Sequence, residues 1–169
     1  MEAQEMPARQ CGSCTLCCKV LGVAGLDKPA GVWCRHCRPS QGCAIYETRP
    51  QECRTFACLW LANPNFPDEL KPERSKLVFV LEAEGNRIVA YCDPGWPLAW
   101  KEAANYRMLK SMAVRSAETG RQVVVALREH YTAILPDRDV PLGLVKPGQR
   151  IVYRETAAGV GRRLEPVVE

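Results

Sequence analysis

The chain has 169 residues, 47% hydrophobic and 25% charged, with a formal net charge of +4. That length and balance suit a soluble globular fold rather than a disordered chain. No apolar run approaches the roughly 18 residues of a membrane span, and MEAQEMPARQ lacks the basic and apolar regions of a secretory signal. A cytoplasmic location with no membrane partner is therefore expected.

The first ten residues read as a loose tail. Ten cysteines follow, nine of them between Cys11 and Cys58. Burial does not explain such density, because a packed core draws on leucine and valine at least as readily. The short spacings do: CGSC, TLCC and CRHC can close on one ion with little extra backbone ordering. In a reducing cytoplasm disulfides are the lesser reading and metal chelation leads.

Cys11, Cys14, Cys17 and Cys18 form C-x-x-C-x-x-C-C. Ligands three apart can converge from a turn or one helix face, whereas adjacent Cys17 and Cys18 cannot face the same way on a helix. One of them ligates a different ion, bridges two ions, or is a buried thiol. Asp27 to Gly31 is a turn separating this knuckle from Cys34 and Cys37. His36, inside that second C-x-x-C, is expected to point outward. Cys43 opens the run CAIYETRPQECRTFAC. A helix capped by Thr48, with Pro50 in its first turn, is expected to run to about Leu61. Cys53 and Cys58, five apart, then share a metal only if that helix ends or distorts between them. Phe56 and Trp60 are packing residues. Asn63 to Pro72, with three prolines, closes a first unit over residues 1–72.

Residues 73–169 read as an α+β unit, an antiparallel sheet with one packed helix. Lys76 to Glu82 with Arg87 to Cys92 forms one hairpin, and Gln122 to Leu127 with Tyr131 to Leu135 a second. Ile151 to Glu155 with Arg163 to Val168 forms a third. Between the first two, Trp100, Ala104, Met108 and Met112 recur every four positions, predicting an amphipathic helix from Pro97 to Thr119. Cys92 ends an apolar strand and reads as a buried thiol. Asp93, His130, Asp137 and Asp139 read as turn and strand-end residues rather than an acid/base site.

The C-x-x-C-x-x-C-C run, with Cys43, Ile45, Tyr46, Arg49, Pro50, Cys53, Arg54, Phe56 and Cys58 downstream, resembles the bacterial zinc- or iron-chelating domain family named for that signature. Cys37 resembles the further cysteine found before the C-x-I-Y segment, while Cys34 is additional and stands as a reserve ligand. The resemblance covers roughly the first 60 residues. It implies metal binding in a bacterial cytoplasm. Related signatures occur in flagellin lysine methylases, but this chain is much shorter and has no glycine-rich cofactor loop.

The expected metal ligands are thus Cys11, Cys14, Cys17, Cys18, Cys34, Cys37, Cys43, Cys53 and Cys58. All-thiolate sets suit zinc and iron-sulfur clusters alike, and adjacent knuckles favour structural zinc. Lys19, Arg35, Arg38, Arg49 and Arg54 lie among the thiols, where positive charge depresses thiolate pKa and can donate to sulfur. No serine, histidine and acid arrangement and no H-E-x-x-H is present, which favours a binding role over an enzyme. The other reading is an iron-sulfur enzyme or redox protein using the C-terminal unit as its substrate platform. Scattered basic residues give no nucleic-acid stripe, and the sequence names no protein partner.

Overall fold

The computed structural model describes residues 9–169. The expected tail therefore lies, apart from Arg9 and Gln10, outside the described residues. Arg9 itself is held: its guanidinium donates to the carbonyls of Trp60 (2.7 Å), Asn63 (3.0 Å) and Phe66 (2.6 Å) and to Asp68 Oδ1 (3.0 Å).

Short elements dominate the cysteine-rich segment. Helix α1 (Cys17–Val20) is one turn long, and strands β1 (Cys37–Arg38) and β2 (Gly42–Cys43) form a two-residue hairpin. Where one helix was expected up to about Leu61, the chain forms a 3₁₀ turn (Tyr46–Thr48), α2 (Gln51–Thr55) and α3 (Leu59–Ala62). Phe56 is extended between them (φ −74°, ψ 130°). The interruption lets Phe56, Leu59, Trp60 and Leu61 all reach the core, which one short helix could present along a single stripe only. Helix α4 (Pro72–Ser75) then leads into the sheet.

The three expected hairpins are observed. β3 (Leu77–Glu82) pairs with β4 (Arg87–Cys92), β5 (Gln122–Leu127) with β6 (His130–Ile134), and β8 (Ile151–Ala158) with β9 (Gly161–Val168). Strand β7 (Asp139–Leu144), absent from the sequence reading, pairs with β6 and completes the order β3-β4-β5-β6-β7. Pro141 and Gly143 hide it in the sequence, and an edge position tolerates both because one side of the ladder needs no donor. The fold is α+β, but the sheet is mixed. β4 and β5 run parallel because α5 (Ala103–Ala117) carries the chain back between them.

Helix α5 starts later than expected: Ala99–Lys101 forms a separate 3₁₀ turn, and extended Glu102 (ψ 145°) divides the two. Its buried stripe is Asn105, Leu109, Met112, Ala113 and Ser116, so the face turns away from the Trp100, Ala104, Met108 series. Asn105 accounts for the shift. Its Nδ2 donates to the carbonyls of Ser75 (2.9 Å) and Ala99 (2.7 Å), pinning the first turn against the entry to β3.

Strand alternation divides the core into two layers. Ile88, Ala90, Cys92, Val123 and Val125 face α5, whereas Val89, Val124, Ala126 and Ala133 face the opposite side, where Ile151, Tyr153 and Val168 of β8–β9 pack. The layer under α5 also takes in Leu16, Val20, Cys58, Trp60, Phe66 and Leu70. Phe66 meets Phe79 edge-on at 5.4 Å. One apolar core therefore spans the junction at residues 72 and 73. Cys92 is buried in it, as expected, and no helix among the described residues is long and apolar enough to cross a membrane.

Candidate metal centre

The first knuckle is shaped by two constraints. Gly12 adopts a left-handed conformation (φ 58°), letting the Cys14 amide donate to the Cys11 carbonyl (2.9 Å). Leu16 and Val20, one helical turn apart, anchor α1 in the core. That anchoring sends the two adjacent thiols different ways. Cys17 lines a recess against the core, and Cys18 meets the second knuckle, where its amide carbonyl accepts from the Cys34 amide (2.9 Å).

The second knuckle is a tight hairpin. The Cys37 amide donates to the Cys34 carbonyl (3.0 Å), and Cys37 stands directly across from Cys43. Ser40 (φ 61°) and Gly42 (φ 121°) make the reversal between them, and the Ser40 amide donates to Thr15 Oγ1 (3.1 Å). The third knuckle follows from the interrupted helix. On one continuous helix Cys53 and Cys58 would diverge by about 140°. With the chain extended at Phe56, both line the same recess.

That recess, about 100 Å³, is lined by five cysteines: Cys11, Cys14, Cys17, Cys53 and Cys58, with Arg49, Phe56 and Trp60. Burial raises the thiol pKa values of Cys11 and Cys14, and neighbouring Cys58 and Cys14 raise Cys11 further. A second gathering surrounds Cys18. The neighbouring Cys17 thiol, with burial, pushes its pKa well above the ordinary value, and the Cys37 thiol works in the opposite direction. Cys37 is pushed up to about 12 by burial and by Cys18, with Cys34 adding to it. Cys53 is raised by burial, by Glu52, and by Cys18, Cys34 and Cys43. Cys53 thus lines the recess with Cys11, Cys14, Cys17 and Cys58 and also feels Cys18, Cys34 and Cys43. Among the described residues, no three His, Cys, Asp or Glu side chains are drawn closely enough to hold an ion without moving. All ten cysteines are free thiols.

The positive charges divide by role. Lys28 was hidden in the sequence inside a turn, yet it is buried, 8% exposed. Its Nζ donates to the carbonyls of Lys19 and Pro29 (3.0 Å each) and of Leu21. Desolvation lowers its pKa, and Cys34, Cys18, Cys17 and Cys53 oppose that lowering. Arg49 stacks over Tyr46 at 3.6 Å and lines the recess, where its Nε is buried without a hydrogen-bond partner among the described residues. Arg54 instead braces backbone, donating to the Arg49 and Glu47 carbonyls (3.0 and 2.7 Å). Lys19 pairs with Asp93 (2.5 Å), Arg35 donates to His36 (3.2 Å), and Arg38 is exposed.

The acid and histidine residues of the second half do not converge. Asp93 is tied to Lys19, Asp139 accepts from Lys110 (2.7 Å) and Tyr106 (2.9 Å), Asp137 pairs with Arg138, and His130 is exposed. No family model matches the chain, and no curated protein or solved structure matches it.

Proposed function

We propose that this chain is a cytoplasmic bacterial metal-binding protein of the zinc- or iron-chelating type, its metal held by clustered cysteine thiolates. One observation carries the reading: four separated stretches of chain, 11–18, 34–37, 43 and 53–58, deliver nine thiols to two adjoining gatherings. The thiols repel as thiolates and are costly to ionise where they are buried, and a divalent cation relieves both penalties at once. Binding releases the protons and draws the sulfurs to about 2.3 Å from the ion.

The donor set fits the group. Cys11, Cys14, Cys17 and Cys58 hold one ion, and Cys18, Cys37, Cys43 and Cys53 the other, with Cys34 in reserve. Lys28 supplies fixed positive charge beside the second set. The unpartnered Arg49 Nε–H supplies a donor to sulfur beside the first, which suits an iron-sulfur core as well as zinc. Zinc is the first choice. An iron-sulfur enzyme or redox protein, with residues 73–169 as its substrate platform, is the second.

Metal and sulfide analysis of protein purified anaerobically without chelators separates the two. Colourless protein with two zinc ions is expected, and loss of one ion each in Cys58→Ser and Cys37→Ser. Brown protein containing iron and sulfide establishes the second reading. Protein that binds neither metal, and takes up neither when offered, overturns both.

A further inference from the structure

On the face of the sheet away from α5 lies a second cavity, about 320 Å³, closed on one side by Gly22 and Ala30 of the loop between the first two knuckles. Tyr91 and Tyr131 form its floor, and Arg87, Arg128 and Lys146 stand around it. None of these three cations is in an ion pair among the described residues. The lining holds one carboxylate, Glu129. A second, Glu82, stands across the β3–β4 ladder from Arg87 and accepts a hydrogen bond from the Tyr91 hydroxyl.

Two of the cations are held in place, one by hydrogen bonds and one at a conformational cost. Arg87 donates through Nε to Gln122 Oε1 (2.9 Å) and through Nη2 to the Ile151 carbonyl (3.3 Å), which fixes the guanidinium plane. Arg128 occupies the two-residue turn between β5 and β6 with φ 56°, a left-handed conformation that favours glycine over a long side chain. Gly31 makes room for it: a Cβ there would stand 2.8 Å from Arg128 Cγ. A strained arginine, a glycine clearing its path and a braced second arginine all serve one concavity.

We propose that this cavity binds a small, multiply charged oxyanion, a polycarboxylate or a phosphate ester. Guanidinium forks match the paired oxygens of both groups, and a volume at the small end of ligand sites requires a compact ligand. Its cationic residues come from β4 and from the turns at 128 and 146, outside the proposed metal-binding stretches, while Gly22 and Ala30 join it to the loop between the first two knuckles.

The test is an amide NMR titration of the full chain with citrate, pyrophosphate and inorganic phosphate, against chloride at matched ionic strength. Saturable shifts confined to residues 128–131 and 145–149 are expected, and the tighter of citrate and pyrophosphate names the chemical class. Arg128→Gln and Lys146→Gln, both at exposed positions, should each weaken binding by about tenfold while leaving the amide spectrum otherwise folded. Absence of saturation with all three anions, shifts centred elsewhere, or unchanged affinity in Arg128→Gln overturns the proposal.

Discussion

Substitution of Asp93 tests how firmly the cysteine-rich segment is fastened to the sheet. Asp93 follows β4, is 6% exposed, and accepts from Lys19 Nζ at 2.5 Å and from the Gly95 amide at 2.9 Å. Lys19 belongs to α1, so the pair bridges the thiol-bearing helix and the end of a central strand. Removing one partner of a buried pair costs about 3–5 kcal/mol, because the other is left desolvated. Lys19 partly escapes that penalty. Its side chain keeps 18% exposure and its ammonium lies 5.6 Å from the Trp33 ring, which places the charge effect near about 2–3 kcal/mol. Asp93→Asn keeps an acceptor for Gly95 and should lose that amount. Asp93→Ala also strands the Gly95 amide, adding about 1 kcal/mol. In urea unfolding at constant metal content, a cycle with Lys19→Met should return a coupling energy of about 2 kcal/mol. A coupling below about 0.5 kcal/mol would refute the bridge, since the two charges would then be acting independently of one another.

Other outcomes follow from the same contacts. Leu109, fully buried on α5, should cost about 3–4 kcal/mol when replaced by alanine, read as a lowered urea midpoint with an unchanged slope. Arg49→Gln should speed metal loss to a competing chelator by about tenfold while leaving stoichiometry unchanged, because it removes a donor beside the sulfurs rather than a ligand. Metal-free protein should lose stability as pH rises above 9. Burial raises Cys92 from 9.0 to about 11 and Cys37 to about 12, so the folded state holds protons that the unfolded chain has already released. Thiolate absorbance against pH, with Cys92→Ala as the control, measures that window. Metal-loaded protein should show the reverse at low pH, with zinc affinity falling from pH 8 to pH 6 as protons compete for the sulfurs.

The first two hairpins are legible in the sequence because runs of valine, isoleucine, leucine and aromatic residues, buried on both faces, flank short polar turns. The interrupted helix is not. Thr48 and Pro50 mark a start, but the break at Phe56 is imposed by the need to bury aromatic and leucine side chains on several sides at once. β7 escapes because its proline and glycine are acceptable only at an edge, and edge position is a property of the finished sheet. The divergence of Cys17 and Cys18 can be foreseen from adjacency alone, whereas their different surroundings depend on where Leu16 and Val20 anchor α1. Lys28 carries no local signal, since a lysine before proline in a turn is ordinarily solvated.

Arg9 clasps carbonyls around the end of α3 and reaches Asp68, so the start of the described chain is secured by residues made 59 positions later. At ordinary translation speeds that interval lasts roughly 3–12 s. The segment carrying the earliest sulfurs therefore emerges from the ribosome before the residues that fasten it, and its thiols stay open to oxidants until those residues follow. A pause in synthesis before those later residues emerge would prolong the exposure.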